Sequence, residues 1–377
     1  MPLEVNMKVL ALEGYYGGSH KAFLDGWVAH SRHVWTVLTL PPNKWKWRMR
    51  HGAVTFAQQV NDRIARGEKW DVVFCCDMLN LAEFAGLIDR RVRDLPRIVY
   101  FHENQLTYPV RFESERDYQY VMTNLTTAIA ADRVWFNSAF HRDEFLSALG
   151  KFLRRMPDNQ PLEAIADIRA KSAIHPPGIY PFAPGGKRKQ GPVRILWAGR
   201  WEHDKNPEDF FAAMKALKEK GVDFRLSVIG EQFRDVPEVF EWAREFFAAH
   251  IERWGYQENI AEYRAALTEA DIVVSTANHE FFGISVVEAI AAGAYPVLPK
   301  RLAYPEIVAG IESVCEDDFF YNGTVNGLVA RIMTLLEILQ RGSHWEQDKA
   351  GRIRAMDRYG WRRCADEMDD AMAEAVG

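Results

Sequence analysis

Short apolar runs alternate with helix-like segments twice along this 377-residue chain, and that repetition restricts the fold more than any other feature. In the first half the runs are VNMKVLALE, HVWTVLTL, WDVVFCC, PRIVYFH and DRVWFN, each followed by a glycine-bearing or polar loop and then a helical pattern. Strands buried on both faces lose the polar alternation of half-exposed ones, and parallel neighbours need a helical crossover, so the pattern predicts doubly wound parallel sheets. Residues 176–192, PPGIYPFAPGGKRKQGP, concentrate proline, glycine and basic residues as an interdomain linker does. A second series follows: strands VRILWAG, FRLSVIG, DIVVST and AYPVLP, and helices PEDFFAAMKALKEK, ENIAEYRAALTEA, ISVVEAIAAG and TVNGLVARIMTLLEILQR. The expected fold is α/β: Rossmann-like domains over 1–178 and 190–355 facing each other across a cleft, with a C-terminal helix, 356–377, packing back toward the first. Such sheets bind ligands at their strands' carboxyl ends, which puts the expected active site between the domains.

With 48% hydrophobic residues the chain can bury two cores, yet no apolar run approaches the length of a membrane span. The N-terminus MPLEVNMKVLALEGYY lacks the pattern of a signal peptide, and Cys75, Cys76, Cys315 and Cys364 show no metal-ligand spacing. A cytoplasmic protein is expected, with Cys75 and Cys76 in a buried strand.

Net charge is −5, but residues 1–185 hold 23 basic and 20 acidic residues, a net of +3, leaving 24 and 32, or −8, for the remainder. No acidic residue falls between Asp25 and Asp62, and KWKWRMRH places Lys44, Lys46, Arg48 and Arg50 around Trp45 and Trp47. Cations that meet phosphates, beside indoles that stack on unpaired bases, suit a nucleic-acid partner. No long amphipathic helix is expected between Gly26 and Asn61, so this stretch reads as a loop after the second strand.

Four motifs sit at strand ends. In LEGYYGGSH, Gly17 and Gly18 permit a tight turn, and Ser19 is expected to cap a helix whose first turn holds His20, exposing amides to an anion or sugar hydroxyls. The loop FHENQLTYPVR presents His102, Glu103, Asn104 and Gln105, with Tyr108 and Arg111 extending the surface. GRWEHDKNPEDF brings Arg200 and Lys205 to a helix opened by Pro207, the outline of a diphosphate clamp. HEFFGISVVEA follows a strand with Glu280, then Phe282, Gly283, Ile284 and Ser285 at a helix start, and Glu288 one turn in. Glycine there lets backbone amides approach phosphate, with one carboxylate for hexose hydroxyls and the other for a ribose diol.

The Glu280-x7-Glu288 pair, with Arg200 and Lys205 and the two-half layout, resembles the retaining nucleotide-sugar glycosyltransferases of the GT-B fold, family four. EGYYGGSH, LPPNKWKWRMR, FHENQLTYPV, FNSAFHRDEFL and GKFLRRMPD, which cover most of residues 7–160, together resemble the tRNA-queuosine α-mannosyltransferase family. The resemblance implies transfer of mannose from GDP-mannose to the cyclopentenediol of queuosine in a tRNA anticodon, with no metal and no cofactor beyond the nucleotide-sugar donor. It implies catalytic roles for His102, Glu280, Arg200 and Lys205. Donor contacts are expected from Gly17, Gly18, Gly230, Glu231, Tyr256 and the 282–288 segment, and Gly255 is expected beside the base. Acceptor contacts are expected from Ser19, His20, the basic stretch and the 103–111 loop. The alternatives are an enzyme of this fold acting on a lipid or polysaccharide acceptor, and a non-catalytic nucleic-acid-binding protein.

Overall fold

A computed structural model describes residues 6–110, 114, 116–182, 190–233, 235–311, 316–341 and 345–376. The chain forms two units, Met1–Gly178 with Trp361–Gly377, and Ile179–Gly360.

In the first unit, six strands, β1 (Lys8–Glu13), β2 (Val34–Thr39), β3 (Val72–Cys76), β4 (Arg97–Phe101), β5 (Arg133–Phe136) and β6 (Ser172–Ile174), form one sheet ordered β2-β1-β3-β4-β5-β6. Every pairing is parallel. Side chains alternate between faces, so one continuous apolar run feeds two cores. Leu10, Leu12, Val73, Cys75, Val99 and Phe101 pack on one side with Phe56 and Val60. Val9, Ala11, Val72, Phe74, Ile98 and Tyr100 pack on the other with Phe23, Trp27, Trp361 and Met368. Cys75 and Cys76 are fully buried in β3.

The helix Trp361–Val376 belongs to this unit and lies on the helix Gly18–His30. Its Trp361 indole sits so close to Gly26 that a Cβ there would lie 2.2 Å from the ring. Asp369, fully buried, accepts hydrogen bonds from the Trp27 indole at 2.8 Å, the Ser31 hydroxyl at 2.9 Å and the Arg32 amide at 2.8 Å. A buried carboxylate is tolerated when donors surround it, as they do here.

The second unit has a parallel sheet ordered β12-β11-β10-β7-β8-β9, from β7 (Val193–Ala198), β8 (Phe224–Ile229), β9 (Ile251–Gly255), β10 (Ile272–Val274), β11 (Tyr295–Pro299) and β12 (Phe320–Tyr321). Successive crossovers run one way from β7 to β9 and the other way from β10 to β12. The order reverses between β7 and β10, and in the first unit between β1 and β3. At such reversals neighbouring loops diverge and leave a crevice at the carboxyl edge.

Two expectations need correction. β6, β9 and β12 were not anticipated, being short or carrying charged residues. KWKWRMRH is not a loop: from Trp45 it forms the opening turns of a 21-residue amphipathic helix, Trp45–Ala65, whose Met49, Ala53, Phe56, Ala57, Val60 and Ile64 are buried. Among the described residues no helix is long and apolar enough to cross a membrane.

Candidate active site

At the reversal in the first unit, strand ends bring four ionisable side chains together. Glu13 closes β1, Asp77 follows β3, His102 follows β4, and His20 stands in the first turn of the helix Gly18–His30. Glu13 Oε1 accepts from the Tyr15 amide at 2.8 Å and the Cys76 thiol at 3.0 Å, and lies 3.2 Å from His20 Nδ1. Burial opposes both charges, yet each stabilises the other. His20 is raised to about 9 by Glu13, helped by Asp77 and Glu103, while Glu13 falls below the usual carboxylate range. The pair is an ion pair at neutral pH. The His20 ring lies against His102 with centroids 4.0 Å apart and planes tilted by 33°. Burial, then the electrostatic influence of His20 and, less, of His141, holds His102 well below the ordinary histidine value, so it is a neutral imidazole. Among the described residues its buried Nε2 meets no hydrogen-bond partner. Glu13, His20 and His102 offer ligand atoms within 4.8 Å of one another, the spacing of a cation site. A histidine ligand must be deprotonated, and Glu13 gives His20 a strong hold on its proton.

The loop after β4 is pinned from behind. Asn104 Oδ1 accepts from the Leu106 and Thr107 amides, and its Nδ2 reaches Thr107 Oγ1 and His141 Nε2. His141 Nδ1 meets Asn137 Oδ1, and Asn137 Nδ2 donates to the His102 carbonyl at 2.9 Å. Asn124 Oδ1 takes the Gln105 amide at 2.8 Å, while Asp77 Oδ1 takes the His102 amide at 2.9 Å. Glu103, half-buried, accepts one bond from Gln105 Nε2.

At the reversal in the second unit, the turn His203–Lys205 after β7 buries Lys205, 7% exposed. Its Nζ donates to the His279 carbonyl at 2.8 Å and lies 3.2 Å from Glu280 Oε2 and 3.0 Å from Asp204 Oδ2. Burial works against this ammonium, but Glu280 and Asp204 keep it charged, with its value raised. Arg200 stays half-exposed, 3.0 Å from Glu202. The helix Ile284–Ala291 begins at Gly283, whose φ of +98° is left-handed, and its first turn contains no acidic residue. Lys205, Glu280, Ser285 and Tyr304 line a recess at that helix start. Ser285 Oγ donates to the Ala198 carbonyl at 2.8 Å, and Glu288 Oε2 accepts from the Tyr263 hydroxyl at 2.6 Å. At the carboxyl ends of β8 and β9, Glu231, Gln232, Trp254, Gly255 and Tyr256 line an open cavity of about 580 Å³, with Tyr256 61% exposed. Gly230 passes so close to Gly199 that a Cβ would meet its carbonyl oxygen at 1.7 Å.

Residues 8–179 match the family described as tRNA-queuosine alpha-mannosyltransferase N-terminal, and residues 183–341 match glycosyl transferases group 1. A Drosophila melanogaster tRNA-queuosine alpha-mannosyltransferase is 37% identical over 311 residues, 79% of this chain and 81% of its own. The chain belongs to the tRNA-queuosine α-mannosyltransferase family. A Mycobacterium tuberculosis GDP-mannose-dependent alpha-(1-6)-phosphatidylinositol dimannoside mannosyltransferase is 26% identical over 33% of this chain and 32% of its own. The catalytic domain of Arabidopsis thaliana starch synthase IV, bound to ADP and acarbose, superposes with a TM-score of 0.71 at 12% identity, covering 99% of this chain and all of that one. The fold is GT-B.

In this member of the tRNA-queuosine α-mannosyltransferase family, several expected site residues have other duties. Ser19 does not cap its helix: Gly17 holds the cap position with no side-chain bond, and Ser19 is exposed within the first turn. Gly17 is buried beneath Pro42, and the left-handed Gly18 faces open space. Asn104 and Gln105 are 0% and 8% exposed and shape the loop rather than its surface. Tyr108 is half-buried, its carbonyl accepting from Arg116 at 3.1 Å. Arg48 spends its guanidinium on the Pro41 carbonyl, the Asn43 carbonyl, Asn43 Oδ1 and His51 Nε2. Trp45 packs on Tyr120 with centroids 5.0 Å apart, whereas Trp47 is 59% exposed and flanked by exposed Lys46, Arg50 and Lys44. Phe282 turns its ring into the core against Tyr359, and Ile284 packs partly there too. Arg111 lies outside the described residues. Sequence reasoning missed Glu13, Asp77, Asn124, Asn137, His141 and Tyr263. Glu13 and Asp77 had a readable signal, a carboxylate directly at the end of an apolar strand.

Proposed function

We propose that this protein transfers mannose from GDP-mannose to the cyclopentenediol of queuosine in a tRNA anticodon, with retention of configuration. The observation that carries the reading is the match of residues 8–179 to the family's N-terminal domain, the part that holds the Glu13–His20–His102 cluster and the basic helix start. The second unit takes the donor. The helix start at Gly283 offers amides to the diphosphate, with Lys205 and Arg200 supplying positive charge and Glu280 orienting the hexose. A GDP-mannose donor is supported by the mycobacterial relative's named dependence on it.

The bond from the anomeric carbon to phosphate breaks toward an oxocarbenium-like ion pair. The acceptor oxygen bonds to that carbon from the face being vacated, and its proton passes to the departing diphosphate. Positive charge fixed before reaction stabilises the developing phosphate charge without reorganisation. On the acceptor side, neutral His102 has a nitrogen in need of a hydrogen-bond partner. Trp47 provides the exposed ring on which an unpaired base stacks, and Lys44, Lys46 and Arg50 meet phosphates. With tRNA as acceptor, the proposed compartment is the cytoplasm. The helix Trp45–Ala65 spends its Met49-to-Ile64 stripe on the core of its own unit, and the large apolar side chains it exposes, Trp47 and Val54, form no continuous face for a lipid surface, which disfavours a membrane-held acceptor.

The test incubates the protein with GDP-mannose and queuosine-containing tRNA, then weighs the digested nucleosides by mass spectrometry. A hexose on queuosine alone, lost with E280A and with tRNA lacking queuosine, is the expected result. Donor consumption without a modified nucleoside refutes the tRNA acceptor.

A further inference from the structure

The contact between Tyr263 and Glu288 is not used by the reading above. Tyr263 stands on the helix Ile260–Glu269 and Glu288 on the helix Ile284–Ala291, so two separate elements converge on one carboxylate. The phenol donates to Oε2 at 2.6 Å. Among the described residues Oε1 has no hydrogen-bond partner. Neither end of this contact is loose: the Tyr263 ring packs at the edge of the second unit's core, and both residues are half-buried.

A glutamate has three side-chain torsions, and an unpaired one samples many rotamers. One short bond to a ring that is itself packed removes most of that freedom. A phenol only 2.6 Å from a carboxylate is a donor, so it occupies one oxygen and leaves the second as a pure acceptor. Two adjacent ribose hydroxyls are two donors, and a pre-oriented carboxylate oxygen matches them at little entropic expense.

We infer that Tyr263 is a positioning residue: it fixes Glu288 so that the free carboxylate oxygen selects a nucleotide with an intact ribose diol. Tyr263 acts through Glu288 and does not itself meet the sugar. The inference rests on the proposed donor reading together with the expected role of Glu288 as the carboxylate for the ribose diol, and the experiment separates the two.

Isothermal titration measures GDP, 2′-deoxy-GDP and 3′-deoxy-GDP against wild type, Y263F and E288A. Wild type is expected to favour GDP over the deoxy nucleotides by about tenfold to a hundredfold, the worth of a hydrogen bond to a charged group. Y263F, which keeps the ring and loses only the hydroxyl, is expected to bring that preference below about threefold while deoxy-nucleotide binding barely changes, because an unfixed carboxylate loses its orientation. In turnover, Y263F is expected to raise the donor KM by a larger factor than it lowers kcat. Wild-type discrimination in Y263F, with discrimination lost in E288A, overturns the inference and leaves the donor reading standing. Discrimination retained in E288A overturns the donor reading itself. A Y263F protein without a cooperative melt, or with a fall in kcat at unchanged KM, also overturns the positioning role.

Discussion

Replacing Glu13 by Gln removes the counter-charge of His20 while preserving shape. The two side chains are 3% and 6% exposed and 3.2 Å apart, so solvent screens little of their attraction. Burial alone would depress His20, and the pair instead raises it from 6.5 to about 9. A folded-state value above the unfolded one means that protonation favours folding: the contribution is complete below the unfolded value and disappears as pH rises through the folded one. Integrated over that interval it amounts to about 2.5 kcal/mol at pH 7 and a few tenths by pH 9.5. For a domain of this size that corresponds to roughly 5–10 °C in Tm. Thermal melts of wild type and E13Q at pH 7 and 9.5, followed by tryptophan fluorescence, should show a gap of that order at pH 7 that largely closes at pH 9.5. Equal melting temperatures at pH 7, or a gap of the same size at both pH values, would refute the ion pair.

W47A should raise the KM for tRNA roughly tenfold, the worth of one stacked base, without lowering Tm, whereas W45A, which removes the ring packed on Tyr120, should lower Tm. Joint replacement of Lys44, Lys46 and Arg50 by alanine should flatten the dependence of log binding on log salt by about 2, since each phosphate contact on a single strand contributes about 0.7. Gly26→Ala drives a methyl into the Trp361 indole and should destabilise the first unit by roughly 1–3 kcal/mol, read as faster proteolytic release of the C-terminal helix.

Much of the fold was legible because strands such as Val72–Cys76 and Tyr295–Pro299 are buried on both faces, and their apolar runs are unbroken. Ile251–Gly255 lacks that mark. It is an edge strand in which Glu252 pairs with Arg194 at 3.3 Å and Arg253 with Glu269 at 2.6 Å, so its charges balance against neighbours that a linear reading cannot see. The helix Trp45–Ala65 escaped for another reason. It begins after Lys44 in a left-handed conformation, with no capping side chain and no acidic residue in its first turn, so every usual sign of a helix start is missing. Tertiary burial of its Met49-to-Ile64 stripe holds it instead.

The site was legible in position and not in direction. Strand ends mark where polar side chains gather, but Asn104 and His102, two residues apart on one loop, face opposite tasks. What separates them is saturation. Asn104 already receives two backbone amides on its oxygen and directs its nitrogen at Thr107 and His141, so nothing remains to offer a ligand. Arg48 is spent likewise on four acceptors, three of them in the Pro41–Asn43 turn that it braces. His102 keeps a buried nitrogen unmet, and a buried polar atom without a partner is costly unless something arrives to satisfy it. Two tests follow from the same reasoning. N104A should unfold the loop and lower Tm, because two amides lose their acceptor. H102A, which removes an unmet atom together with a ring packed on His20, Phe23 and Tyr100, should lower Tm less than N104A does and lose turnover. The reverse pattern would mean that an unmet bond is no guide to where a ligand sits in this fold.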